Sequence, residues 1–210
     1  MRRPDDVVRF TPVERWAHRS TAALVLVLTA TGLALYVPEI ALHVGRRPLL
    51  QGVHVAAGLL LPLPALAALT TAGFRRDLAT LNRFHASDWE WLRRRDRRVA
   101  GLAVGKFNPG QKLAAAAFAA AGVVMLGTGV MLTAPDLLRL PDSLRQGATI
   151  VHDTVTLCLL ALLAGHAWLA WQHPEARRAM RVGLMDGDYA KDHHPAWVPA
   201  GGPVQATSEH

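Results

Sequence analysis

Ile150 to His173 reads IVHDTVTLCLLALLAGHAWLAWQH, and from Thr154 to Pro174 it contains no Asp, Glu, Lys or Arg. With no water to hydrogen-bond, a run this apolar can satisfy its backbone only as a helix, and it is long enough for about 30 Å of hydrocarbon. His152 and His166 stand fourteen positions apart in it. Fourteen steps fall about 40° short of four turns, so both rings share one helix face, roughly 21 Å apart along the axis. Ionisable or ligating side chains inside a membrane are costly and point to function.

Three more charge-free runs lie outside this one: Ser20–Val37, Pro48–Phe74 and Leu113–Pro135. Four such runs in 210 residues leave nothing soluble to bury them. The expected fold is an all-α integral membrane protein: a bundle of four transmembrane helices in one domain, 1–200. The helices are expected at about 17–37, 49–74, 111–134 and 147–172, with a loop over 75–110 and a disordered tail over 201–210. The mean hydropathy is only +0.18 because the middle loop and tails are polar.

Thr11 as cap, Pro12 at the first helical position and Glu14 three residues after the cap form a helix start. Pro38 ends the first helix, and Pro62 and Pro64 predict a kink within the second. Trp89, Trp91 and Leu92 beside an Arg-rich run read as a basic amphipathic segment on the membrane surface. Gly122, Gly127 and Gly129 would let a neighbouring backbone or a flat macrocycle approach the third helix. No internal repeat is visible.

The formal charge of +7 is placed for a membrane rather than for nucleic acid. Of 23 Lys and Arg, five precede the first run, ten lie between the second and third, and four follow the fourth. Only Arg46, Arg47, Arg139 and Arg145 occupy the other two loops. The positive-inside rule then puts both termini and the 75–110 loop in the cytoplasm. The first run is long for a signal sequence and reads as an uncleaved helix. The single cysteine, Cys158, excludes an intrachain disulfide and a CxxC site. No carboxylate pair, Ser-His-Asp order or phosphate loop supports independent catalysis, so no catalytic residue is assigned.

Given that topology, His18 lies at the inner end of helix one and His54 near the outer end of helix two. His152 lies near the outer end of helix four and His166 near its inner end. The depths pair His18 with His166 and His54 with His152. Two imidazoles from different helices, on opposite faces of one macrocycle, are the ligand set of a low-spin b haem. The expectation is two b haems, one near each leaflet. His43, His85, His173, His193, His194 and His210 are read as loop, interface or tail residues.

Further residues carry a resemblance. RFTPVERWAH over Arg9–His18, GKFNPGQK over Gly105–Lys112, the paired His152 and His166, and AKDHHPAW over Ala190–Trp197 are similar to the gamma (cytochrome b) subunit of membrane-bound respiratory formate dehydrogenase. The resemblance implies a di-haem subunit of the inner cell membrane that passes electrons from an iron–sulfur beta subunit, fed by a molybdopterin alpha subunit, to menaquinone or ubiquinone. It implies that His54 and His152 ligate the outer haem and His18 and His166 the inner one. Asn108 and Gly110 match positions lining a quinone site, with Gln111 beside them; Pro109 stands where alanine is common. The chain would do no formate chemistry itself. Alternatives are the cytochrome b subunit of a nickel–iron hydrogenase or another molybdenum oxidoreductase, a stand-alone superoxide- or ascorbate-linked four-helix cytochrome, or a haem-free membrane anchor or transporter.

Overall fold

The computed structural model describes residues 3–94, 102–134 and 136–198. The tail 201–210 and most of the arginine run after Arg94 lie outside the described residues. In chain order the elements are β1 (Val7–Val8), α1 (Pro12–Tyr36), α2 (Pro38–Val44), α3 (Arg47–Leu60), α4 (Leu63–Ala68) and α5 (Ala72–Leu81). Then follow α6 (Ala86–Arg93), α7 (Pro109–Thr133), α8 (Asp142–Gln172), α9 (Pro174–Val182), β2 (Leu184–Met185) and α10 (Gly187–His193).

Four helical stretches are long and apolar enough to cross a membrane: Pro12–Tyr36, Arg47–Ala68, Pro109–Thr133 and Asp142–Gln172. Large apolar side chains on them face outward, among them Leu26, Leu59, Val123, Leu157 and Leu169, as a hydrocarbon solvent requires.

The ends follow local chemistry. At the start of α1 the Thr11 amide donates to Glu14 Oε2 at 2.8 Å and the Glu14 amide to Thr11 Oγ1 at 3.3 Å, a reciprocal cap. The second stretch breaks between Leu60 and Leu63, where Pro62 removes an amide donor. It stops at Ala68 rather than near 74, because Thr70 Oγ1 caps the Ala67 carbonyl at 2.8 Å and Thr71 turns to extended backbone. The stretch after Pro38 is a short helix, α2, ended by Gly45 at φ 64, and not an open loop. The fourth helix begins at Asp142, in a first turn where an acid complements the dipole. The 75–110 loop holds most of α5 and all of α6.

The chain forms two compact units. One comprises residues 1–15, 71–119 and 162–210, the other 16–70 and 120–161. In the first, β1 pairs antiparallel with β2, Val7 opposite Met185 and Val8 opposite Leu184. Val7, Ala179, Met185, Ala190 and Val198 form its core, with Phe10, Tyr189 and Trp197 packed against it. Asp5 and Gly187 lie so close that a Cβ at Gly187 would stand 2.4 Å from the Asp5 carbonyl oxygen. The second unit buries mainly small residues, Ala34, Ala57 and Ala148 among them, which lets helix backbones approach.

Candidate functional site

In the second unit four helices converge on two histidines. His54 on α3 and His152 on α8 face each other with ring centres 6.4 Å apart and planes crossed at 66°. Two imidazoles that approach one metal from opposite sides, each nitrogen about 2 Å from it, have ring centres roughly 6 Å apart. The pair therefore has the spacing a haem iron would need. Space beside the rings is kept open by glycines: a Cβ at Gly32 would come within 3.2 Å of His54 Cε1, and one at Gly129 within 3.7 Å of His152 Cε1. Gly122 and Gly127, with nothing within 4 Å, do not share this role.

Each ring is held by a threonine. Thr31 Oγ1 lies 2.9 Å from His54 Nδ1, and Thr128 Oγ1 lies 2.8 Å from His152 Nδ1. A hydroxyl has one hydrogen to give. Thr31 gives it to the Val27 carbonyl at 2.7 Å, and Thr128 to the Val124 carbonyl at 2.8 Å. Each hydroxyl is thereby left able to accept from a ring Nδ1–H, in the tautomer that keeps Nε2 open to a metal.

Among the expected inner-end residues, His18 lies on α1 and His166 on α8, where His166 meets Phe118 edge to face with centres 5.7 Å apart.

The first unit contains the GKFNPGQK turn. Asn108 caps α7 by accepting from the Gln111 amide at 2.9 Å, and Gln111 Oε1 accepts from the Asn108 amide at 3.0 Å. Both carboxamide oxygens are thus committed to the turn, which leaves their NH2 ends as the groups suited to meet a carbonyl acceptor. Pro109 is fully buried. A Cβ at Gly110 would stand 3.3 Å from Asn108 Oδ1 and 3.6 Å from the Trp91 ring, so the glycine admits that indole.

Arg9, 3% exposed, braces the turn from outside it. Its guanidinium donates to the Lys106 carbonyl at 2.7 Å and to Met185 Sδ at 3.1 Å, and lies over the Phe10 and Trp197 rings. Burial lowers its pKa to about 10, which leaves it charged at neutral pH. Lys106 pairs with Asp77 at 2.5 Å, where burial raises the carboxyl's pKa.

His194, expected in a solvated tail, is instead buried at the centre of this brace. Because α10 folds the chain back, the Ala196 amide reaches the Val104 carbonyl at 3.0 Å. His194 Nδ1–H donates to the Gly105 carbonyl at 2.8 Å, and Nε2 accepts from Arg9 at 2.8 Å. Burial, with the adjacent Arg9 charge, pushes the imidazole down to about 3. The unfolded chain binds that proton at the ordinary value of 6.5, so the neutral ring stabilises fully above it and progressively less as pH falls towards 3. Asp6, which Arg178 holds at about 2, loses its contribution only below 3.8. Thermal stability should therefore fall between pH 6.5 and 4, and His194→Gln should flatten that dependence; an unaltered profile in the variant would contradict it.

Arg9, His194, Thr31 and Thr128 carry roles that the reading of the residues did not assign. A signal for the threonines is present: Thr31-Gly32 precedes His54 by 23 residues and Thr128-Gly129 precedes His152 by 24.

Comparison with known proteins agrees with this architecture. Residues 9–185 match the family model for prokaryotic cytochrome b561. The chain is 28% identical over 109 residues to the cytochrome b556(Fdn) subunit of the nitrate-inducible formate dehydrogenase of Escherichia coli K12, covering 51% of this chain and 49% of that relative. The same match holds for the Shigella flexneri protein, so the chain spans about half the length of these relatives. It is 25% identical over 206 residues to the formate dehydrogenase cytochrome b556(fdo) subunit of E. coli K12, covering 94% of each. With four apolar helices and a family match that begins at Arg9 and ends at Met185, the chain belongs to the prokaryotic cytochrome b561 family, membrane proteins that bind haem b.

Proposed function

We propose that this chain is the cytochrome b subunit of a respiratory formate dehydrogenase, passing electrons from an iron–sulfur subunit, itself served by a molybdopterin subunit, to menaquinone. The observation that carries the reading is the His54–His152 pair, facing at 6.4 Å with each Nδ1 within 2.9 Å of a threonine hydroxyl. His54 and His152 would hold one haem and His18 and His166 a second at the opposite membrane face. When bound, haem supplies one-electron storage; the protein supplies the ligands, their orientation and an apolar wall. Both termini and the 75–110 loop face the cytoplasm of a cell membrane in this reading, because nineteen of 23 basic residues lie there.

Purification of the complex from its native membranes tests the assignment. Co-purification with iron–sulfur and molybdopterin subunits, and formate-reducible b-type absorbance, are the expected results. Reduction by hydrogen and not by formate would make the chain a hydrogenase subunit instead.

Quinone would bind at the Asn108–Gln111 turn. Asn108→Asp keeps the capping oxygen and loses the amide donor, so it should raise the quinone KM about tenfold while haem content stays unchanged. An unchanged KM would remove Asn108 from the site.

A further inference from the structure

From the geometry we infer that Thr31 and Thr128 are positioning residues for the haem between His54 and His152: each hydroxyl locks one imidazole's rotation and raises its strength as a donor. This rests on the reading of those histidines as axial ligands.

Thr31 and Thr128 are 9% and 8% exposed, among the few buried polar residues of the second unit. An interior threonine in an apolar helix satisfies itself by bonding its i−4 carbonyl, and both do so. Neither needs a histidine for its own sake. Each nevertheless stands within 2.9 Å of Nδ1, the nitrogen that leaves Nε2 for a metal. The arrangement occurs twice, on different helix pairs, with a glycine following each threonine and facing the Cε1 edge of the same ring. A packing accident would not be expected to repeat in chemistry, in sequence order and in geometry.

Two consequences follow. An acceptor on Nδ1–H pushes electron density towards Nε2, which favours the ferric over the ferrous iron and lowers the reduction potential. Two independent anchors also hold the ring planes crossed at 66°. Crossed planes give a strongly anisotropic low-spin ferric resonance, whereas parallel planes give a rhombic one.

The test uses the membrane-extracted complex with Thr31→Val, Thr128→Val and the corresponding Ser variants. Haem content is measured by pyridine haemochrome, potential by optical redox titration, and ring orientation by electron paramagnetic resonance of the oxidised protein. Each Val variant should raise the potential of one haem only, alter that haem's resonance, and weaken haem retention about tenfold. Each Ser variant should restore all three. Loss of the haem in a Val variant with retention in its Ser counterpart likewise supports the hydroxyl's role. Wild-type potential and resonance in both Val variants would overturn the inference, as would equal loss of haem in the Ser and Val proteins. The underlying ligand assignment fails separately: His54→Ala with both haems retained would refute it whatever the threonines do.

Discussion

Replacing His54 or His152 by alanine should cut the haem content of the purified complex by about half and stop formate-dependent quinone reduction. The rings come from α3 and α8 and face each other across 6.4 Å, so removing either leaves one ligand of the pair. Changing groups around a metal ligand commonly costs 10- to 100-fold in metal affinity or activity, and removing the ligand itself should exceed about 100-fold. The remaining haem should still be reduced by dithionite but no longer by formate. Pyridine haemochrome and a formate-reduced difference spectrum measure both quantities. Normal quinone reduction by either variant would end the relay reading.

The second large effect concerns a buried ion pair. Lys112 Nζ donates to Asp88 Oδ2 at 2.7 Å and to the Arg83 carbonyl at 2.9 Å, with side chains only 6% and 9% exposed. Asp88 also accepts from the His85 amide at 2.8 Å, capping α6. The pair ties α6 to the first turn of α7, next to the place where Trp91 meets Gly110. Lys112→Met would leave the carboxylate buried and uncompensated, at a cost of about 3–5 kcal/mol. The thermal midpoint for haem retention in detergent should drop sharply. The double variant Lys112→Met/Asp88→Asn should recover much of the loss, since no charge is then left buried. A single variant melting like wild type would show that solvent reaches the carboxylate.

How much of this was legible in the residues depends on range. A charge-free run is a local property, and so is the depth of His152 or His166 along a helix of known pitch. The charge asymmetry points each end to one side by the positive-inside rule, and the expectation that His54 pairs with His152 needs no knowledge of packing. The Thr11–Glu14 cap and the break at Pro62 were readable for the same reason: each is decided within four residues. The end of the second helix was misread because Thr70 and Thr71 are as uncharged as the span before them, and only their hydroxyl and backbone geometry stops it.

The partners of the candidate sites were not legible. Thr31 mid-helix reads as one more small residue among alanines, and its histidine lies on another helix. Arg9 and His194 are 185 residues apart, and nothing in either segment announces the other. Asn108 and Gln111 could be read as amide donors, yet only the fold shows their oxygens accepting from each other's backbone amides.

Composition, charge and helical pitch alone determined that four helices are long and apolar enough to cross a membrane and that His152 and His166 stand fourteen positions apart on one of them. Those quantities sum over neighbours in the chain. Which hydroxyl turns which ring, the 66° between the ring planes and the burial of His194 were decided by tertiary structure. They arise where distant segments pack, and hydrogen-bond direction there depends on side-chain positions that no local pattern encodes.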